Sequence, residues 1–100
     1  MSEPPLSPAQ LLRQLFIDAT TSDLAELAQA MEQGDQGAAL HHAHRIHGAA
    51  LSMGAVALAA MAGTLEEELR ASPVGKAHCQ LRVAQLAMLM QEWLAGRPTG

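Results

Sequence analysis

Apolar residues recur every three or four positions along almost the whole of this chain, and the pattern is interrupted only by glycine, proline and short polar caps. Such spacing lays one side of a helix against a core. The residue types point the same way. Ala, Leu, Met, Gln and Glu dominate, and all are good helix formers. β-branched residues are few, Tyr is absent, and Phe16 and Trp93 are the sole aromatics. A sheet is hard to build from this material. One hundred residues provide one domain with one modest core. The chain therefore reads as all-α.

Local signals divide it. Residues 1–6, with two prolines and a glutamate, read as a linker. Ser7 followed by Pro8 is an N-cap with proline at the first helical position. Leu11, Leu12, Leu15 and Phe16 carry a first helix to about Ala19. Thr20 to Asp23 then offers several caps, with Asp23 and Glu26 at capping-box spacing. A second helix runs to about Gln33, with Leu24, Leu27, Ala28 and Met31 on one face; whether these two helices are continuous is open at this level. Gly34 closes it and Asp35 caps the next, which spans Gln36 to Met53 and stops at Gly54. Another runs from Val56 to Arg70 with Leu58, Met61 or Ala62, Leu65 and Leu69 inward. After the loop Ser72-Pro73-Val74-Gly75, the last helix, from Lys76 to about Ala95, carries Leu81, Val83, Leu86, Met90, Trp93 and Leu94. Residues 7–95 are thus expected to form an antiparallel up-down four-helix bundle with a short additional N-terminal capping helix. Residues 96–100 are expected to be a frayed tail.

Charge and composition exclude several functions. The net charge is −4 and the basic residues are scattered, whereas a nucleic-acid binder needs a basic stripe to neutralise phosphates. The single Cys79 forms no internal disulfide and fits a reducing compartment. The acidic start MSEPPLSP is unlike a signal peptide. No stretch reaches the roughly 20 apolar residues of a membrane span; Ala49 to Leu65 comes nearest, broken by Ser52, Gly54 and Thr64. A cytoplasmic location is expected.

Four of the five histidines fall within seven residues: His41, His42, His44 and His47. On a helical wheel Ala39, Ala43, Ile46, Ala50 and Met53 form a core stripe. His44 lies about 160° from Ile46 and points away from that stripe, while His42, about 40° from Ile46, sits at its edge. Leu40 lies one turn before His44, Gly48 one turn after, and Leu51 two turns after. Gly48 in a helix interior is unfavourable by about 1 kcal/mol relative to Ala, which makes sense where a partner must come close to the imidazole. The two leucines offer such a partner an apolar patch.

The segment Met31 to Arg70, with Gly34-Asp35, Ala43-His44-Arg45-Ile46-His47-Gly48, Gly54, Leu58, Leu65-Glu66 and Arg70, resembles a histidine-containing phosphotransfer (HPt) domain. The family pattern is roughly G-D … A-H-x-[LIM]-K-G … G … L … L-E … R. The resemblance implies that His44 takes a phosphoryl group from the aspartate of one response-regulator receiver domain and hands it to the aspartate of another. Leu40, His41, Arg45, Gly48 and Leu51 would form the docking surface. It implies no cofactor of the domain's own, Mg²⁺ being supplied by the partner receiver. It implies a monomeric isolated domain without direct membrane contact, either free-standing or the C-terminal module of a membrane-tethered bacterial hybrid sensor kinase. No Gly-rich phosphate loop is present, so autonomous ATP-dependent kinase activity is not expected. One departure is His47, which stands where the family carries lysine. An imidazole there could support the phosphoryl charge, with a pH dependence that lysine lacks.

Two other readings compete. His41, His44 and His47 are at i, i+3 spacing and could ligate a metal, but no acidic partner stands at i+4 from His44, where Gly48 lies. The Leu40/Leu51 patch could equally serve a helical interaction or dimerisation module. For other residues structural roles are expected: His78 and Cys79 as surface or packing residues, the methionines as core fillers, Glu66 to Glu68 as a solvated face, Gly63 for close helix packing and Trp93 as an anchor.

Overall fold

The structure, a computed structural model, describes residues 4–96. Among these, four helices run α1 Pro8–Glu32, α2 Gln36–Met53, α3 Val56–Ala71 and α4 Lys76–Leu94, and there is no strand. Pro4 to Leu6 are exposed and carry no regular structure. The remainder of the expected linker, and the expected tail after Gly96, lie outside the described residues.

The caps set the boundaries. Ser7 Oγ accepts from the Gln10 amide at 3.1 Å while Gln10 Oε1 accepts from the Ser7 amide at 2.8 Å, a reciprocal capping box. Gly34 and Gly54 close α1 and α2 at φ 69° and 70°, a backbone that glycine adopts without penalty. The amides that follow reach back to the carbonyls of Ala30 and Ala50 at 2.9 Å. Asp35 caps α2 through the Ala38 amide at 3.0 Å. Gln36 ties the start of α2 to the end of α3, donating to the carbonyls of Leu69 at 2.8 Å and Ser72 at 3.0 Å.

One sequence expectation is corrected. There is no separate capping helix: α1 is a single helix of 25 residues running straight through Thr20 to Asp23. Of these residues Thr20 and Asp23 face the bundle, while Thr21 and Ser22 are exposed on the outer side of a continuous helix. Thr20 is buried, and Asp23 accepts from Arg45 of α2. The first turns of α1 pack against the end of α4, where the Phe16 and Trp93 rings meet edge to face at 4.9 Å. Arg13 lies over the Trp93 ring and donates to the Leu94 carbonyl at 3.1 Å.

The core holds Leu27, Ile46, Leu58, Leu65 and Leu86, all fully buried. Each such side chain stabilises the fold by about 1.5–3 kcal/mol. The inward face of α2 is mostly alanine, with Ala39, Ala43 and Ala50 fully buried around Ile46. That face seats α2 firmly between α1 and α3, while α2 and α4 are diagonal, with no Cα of one within 8 Å of a Cα of the other among the described residues. No helix among those residues is long and apolar enough to cross a membrane.

Candidate functional site

The outward face of α2 carries His44, whose side chain is 65% exposed opposite the buried Ile46. Its Nδ1 lies 3.1 and 3.0 Å from the two carboxylate oxygens of Glu66, which α3 holds at only 4% exposure. Glu66 also receives His47 Nδ1 on Oε1 at 3.1 Å and Arg70 Nη1 on Oε2 at 2.9 Å. Burial pushes the Glu66 pKa up, but hydrogen bonds from His44 and His47 and the charge of Arg70 outweigh it, and the net shift is downward. The carboxylate is therefore ionised at neutral pH and can only accept. Both imidazole nitrogens facing it must carry hydrogen. In its neutral form His44 then holds its proton on Nδ1 and leaves the Nε2 lone pair free. Nε2 makes no hydrogen bond among the described residues.

This arrangement corrects the expected solvated run of glutamates. Of Glu66 to Glu68, only Glu67 is exposed. Glu66 was legible from its spacing to Ala62 and Leu69, both inward, but the flanking acidic residues masked it. Glu68 is half-buried and joins α3 to α4, gripping Arg82 Nε and Nη2 at 2.9 and 3.0 Å and His78 Nε2 at 2.9 Å. His78 is thus a hydrogen-bond partner of Glu68. Cys79 is fully buried, and burial, then the Glu68 charge, push its thiol up, so it is a packing residue.

The other residues singled out by the sequence divide. Leu51 is 63% exposed beside His44's face, and Val56, not foreseen, is 75% exposed next to it. With Ala50, Gly54, Ala59, Ala60 and His47 they line an apolar groove of about 280 Å³ between α2 and α3. Leu40 departs from expectation: it is half-buried and packs on the core, so the apolar patch lies towards the C-terminal end of α2 and not on both sides of His44. Gly48 has nothing within 4 Å of where a Cβ would stand, so no packing demand inside the molecule explains it. Arg45 turns away to α1, donating Nε to Asp23 at 3.0 and 3.3 Å. Arg70, to which the sequence reading gave no role, is the guanidinium that reaches the Glu66 cluster. His41 is exposed with its ring 5.1 Å from that of His42.

His42 is half-buried and bridges two α1 carboxylates, with Nδ1 2.9 Å from Asp23 and Nε2 3.1 Å from Glu26. These three side chains place donor atoms within 4.8 Å of one another, a spacing that a metal ion could use. Their donor atoms are already engaged with one another, and Asp23 is also held by Arg45.

The helical bundle thus presents an open imidazole at His44, backed by the buried Glu66 carboxylate, with an apolar groove further along the same helix. The sequence model of the Hpt domain family matches residues 11–96, and the chain belongs to that family. Hpt domains act in histidine phosphotransfer within phosphorelay signalling and interact there with receiver domains. Neither the curated proteins nor the solved structures compared contain a significant match.

Proposed function

We propose that His44 is the phosphoacceptor, taking the phosphoryl group from a receiver aspartate and passing it to the aspartate of a second receiver. The observation that carries this reading is the pairing of His44 Nδ1 with the buried, ionised Glu66 while Nε2 stands open on the exposed face of α2.

The Nε2 lone pair attacks phosphorus, the bond from phosphorus to the aspartyl oxygen breaks, and the receiver's aspartate leaves as a carboxylate. His44 keeps its Nδ1 proton throughout, so no separate base is needed. The positive charge that the ring gains is met by Glu66. In the reverse sense, transfer to the next aspartate returns His44 to the neutral imidazole. The transition state is loose, so catalysis comes mainly from positioning and charge stabilisation. Much of that charge stabilisation is assigned to the acidic pocket and Mg²⁺ of the receiver. The receiver docks over Gly48, where the backbone allows close approach, and onto the groove at Leu51 and Val56. His41 borders the same face. The same chemistry serves a free carrier or a module of a hybrid sensor kinase.

The test is incubation with phosphoramidate or a phosphorylated receiver, comparing wild type with His44→Gln by intact mass. Wild type should gain one phosphoryl group that is lost in acid, because protonation makes imidazole a good leaving group, and the variant should gain none. A folded wild type that takes no label from several donors refutes the reading, and label persisting in His44→Gln places the acceptor elsewhere.

A further inference from the structure

We propose that His47 is a positioning residue: acting through Glu66, it holds His44 in the tautomer whose Nε2 is free to attack. The proposal rests on the assignment of His44 as phosphoacceptor and concerns how that imidazole is kept ready.

Three observations carry it. First, the His47 ring does not stand out over the face that His44 presents. Only a third exposed, it folds back onto α3 with Nδ1 on Glu66 Oε1 at 3.1 Å. Second, its seat is Gly63. A Cβ built there would lie 3.2 Å from His47 Nε2 and 3.3 Å from Cε1, so the ring occupies the space that the glycine leaves. Glycine is a poor residue for the middle of a helix, and this contact gives it a purpose. Third, the Glu66 carboxylate is pinned from two sides. His47 holds Oε1, Arg70 holds Oε2 at 2.9 Å, and His44 Nδ1 meets both oxygens. With one side released, the carboxylate is free to turn toward Arg70 and loosen its grip on His44. The charged group that His47 touches is Glu66 of α3, which it shares with Arg70 of α3 and His44 of its own helix.

A side chain at this position could instead act directly, as a cation beside the phosphoryl group. The geometry favours the indirect role, because Nδ1 is committed to Glu66 and Nε2 lies over Gly63. The two roles differ in what a neutral donor can replace. Asparagine places an amide N–H near where His47 Nδ1 stands and carries no charge.

The experiment uses the full chain with ¹⁵N-labelled histidine, as wild type, His47→Ala and His47→Asn. Two-bond ¹H–¹⁵N correlation spectra read the His44 tautomer, and phosphoramidate labelling gives the phosphorylation rate. Wild type and His47→Asn should hold His44 with its proton on Nδ1. His47→Ala should show a mixture of tautomers and label more slowly by about ten- to a hundredfold, as when the partner that orients a metal-bound imidazole is lost. A wild-type tautomer and rate in His47→Ala overturns the proposal. A slower His47→Ala with unchanged tautomer, or a His47→Asn as slow as the alanine variant, assigns His47 the direct role and overturns it too. Should His47→Ala lose its fold, the asparagine arm still decides: Nδ1-protonated His44 and near-wild-type rate support positioning, and a slow variant refutes it. Absence of labelling in wild type speaks against the phosphoacceptor assignment, while the tautomer comparison stands on its own.

Discussion

Gly48 and Gly63 are both glycines inside helices, yet the structure gives them opposite surroundings. Gly63 is filled by the His47 ring, whereas a Cβ at Gly48 would meet nothing within 4 Å. Gly48→Ala therefore removes the penalty of a helical glycine without any steric loss, and should stabilise the domain by about 1 kcal/mol. For a chain of this size that raises the thermal midpoint by roughly 4–8 °C. If the open surface beside His44 exists for a receiver to approach, the same variant should accept phosphoryl from a receiver about tenfold more slowly, since the new methyl stands in the docking contact. The loss should be larger with the receiver as donor than with phosphoramidate. Melting curves and parallel transfer assays check both halves. A more stable variant with undiminished receiver transfer would remove Gly48 from the docking surface.

At the scale of helices, the α3–α4 contact depends on Glu68. The hydrogen bonds from Arg82, opposed by partial burial and helped by His78, lower its carboxyl from 4.5 to about 2. A carboxylate whose pKa is lower in the folded chain stabilises the fold fully above about pH 4.5 and loses that contribution as pH falls towards about 2. Glu68→Gln should thus be less stable at neutral pH, by about 1 kcal/mol. Its stability should also fall less steeply than wild type across that acid window. Urea melts at a series of pH values test this, and parallel curves for the two proteins would refute it. The contact also shows what could be read from sequence. Helix ends at Ser7, Gly34, Asp35 and Gly54 were legible because a cap is a local bond between near neighbours. The continuity of α1 was not. Thr20 to Asp23 has the residues of a cap, but Asp23 is taken by Arg45 and His42, partners 22 and 19 positions along the chain. Glu68 was misjudged for the same reason, since Arg82 and His78 lie on another helix, while the inward spacing of Glu66 was masked by its acidic neighbours. His44 and Leu51 were placed correctly by the helical wheel alone, because exposure on a single helix follows from its period. Leu40 was not, because packing by neighbours covers a side that the wheel leaves open.

Across the whole molecule the two ends of the bundle's diagonal differ. α2 carries the open imidazole and Gly48 and shares with α3 the groove lined by Leu51 and Val56, while α4 lies diagonally across the bundle. Both helices nevertheless expose a large apolar side chain to the same extent: Leu51 and Met88 are each 63% exposed. Neither contributes much to the core, so a charge at either position should change stability by only about 0.5 kcal/mol. Their effects on function should diverge. Leu51→Glu places a charge in the apolar patch two turns from His44 on the same helix and should slow transfer from a phosphorylated receiver by about tenfold or more, as expected for a side chain in a docking surface. Met88→Glu, on the far helix, should transfer at the wild-type rate. The pair controls for surface charge and for the overall acidity of a chain that already carries −4. Equal losses in both variants would mean that receiver approach is governed by net charge. Equal and undiminished rates would mean that the receiver docks elsewhere on the bundle, with the groove between α2 and α3 left outside the interface.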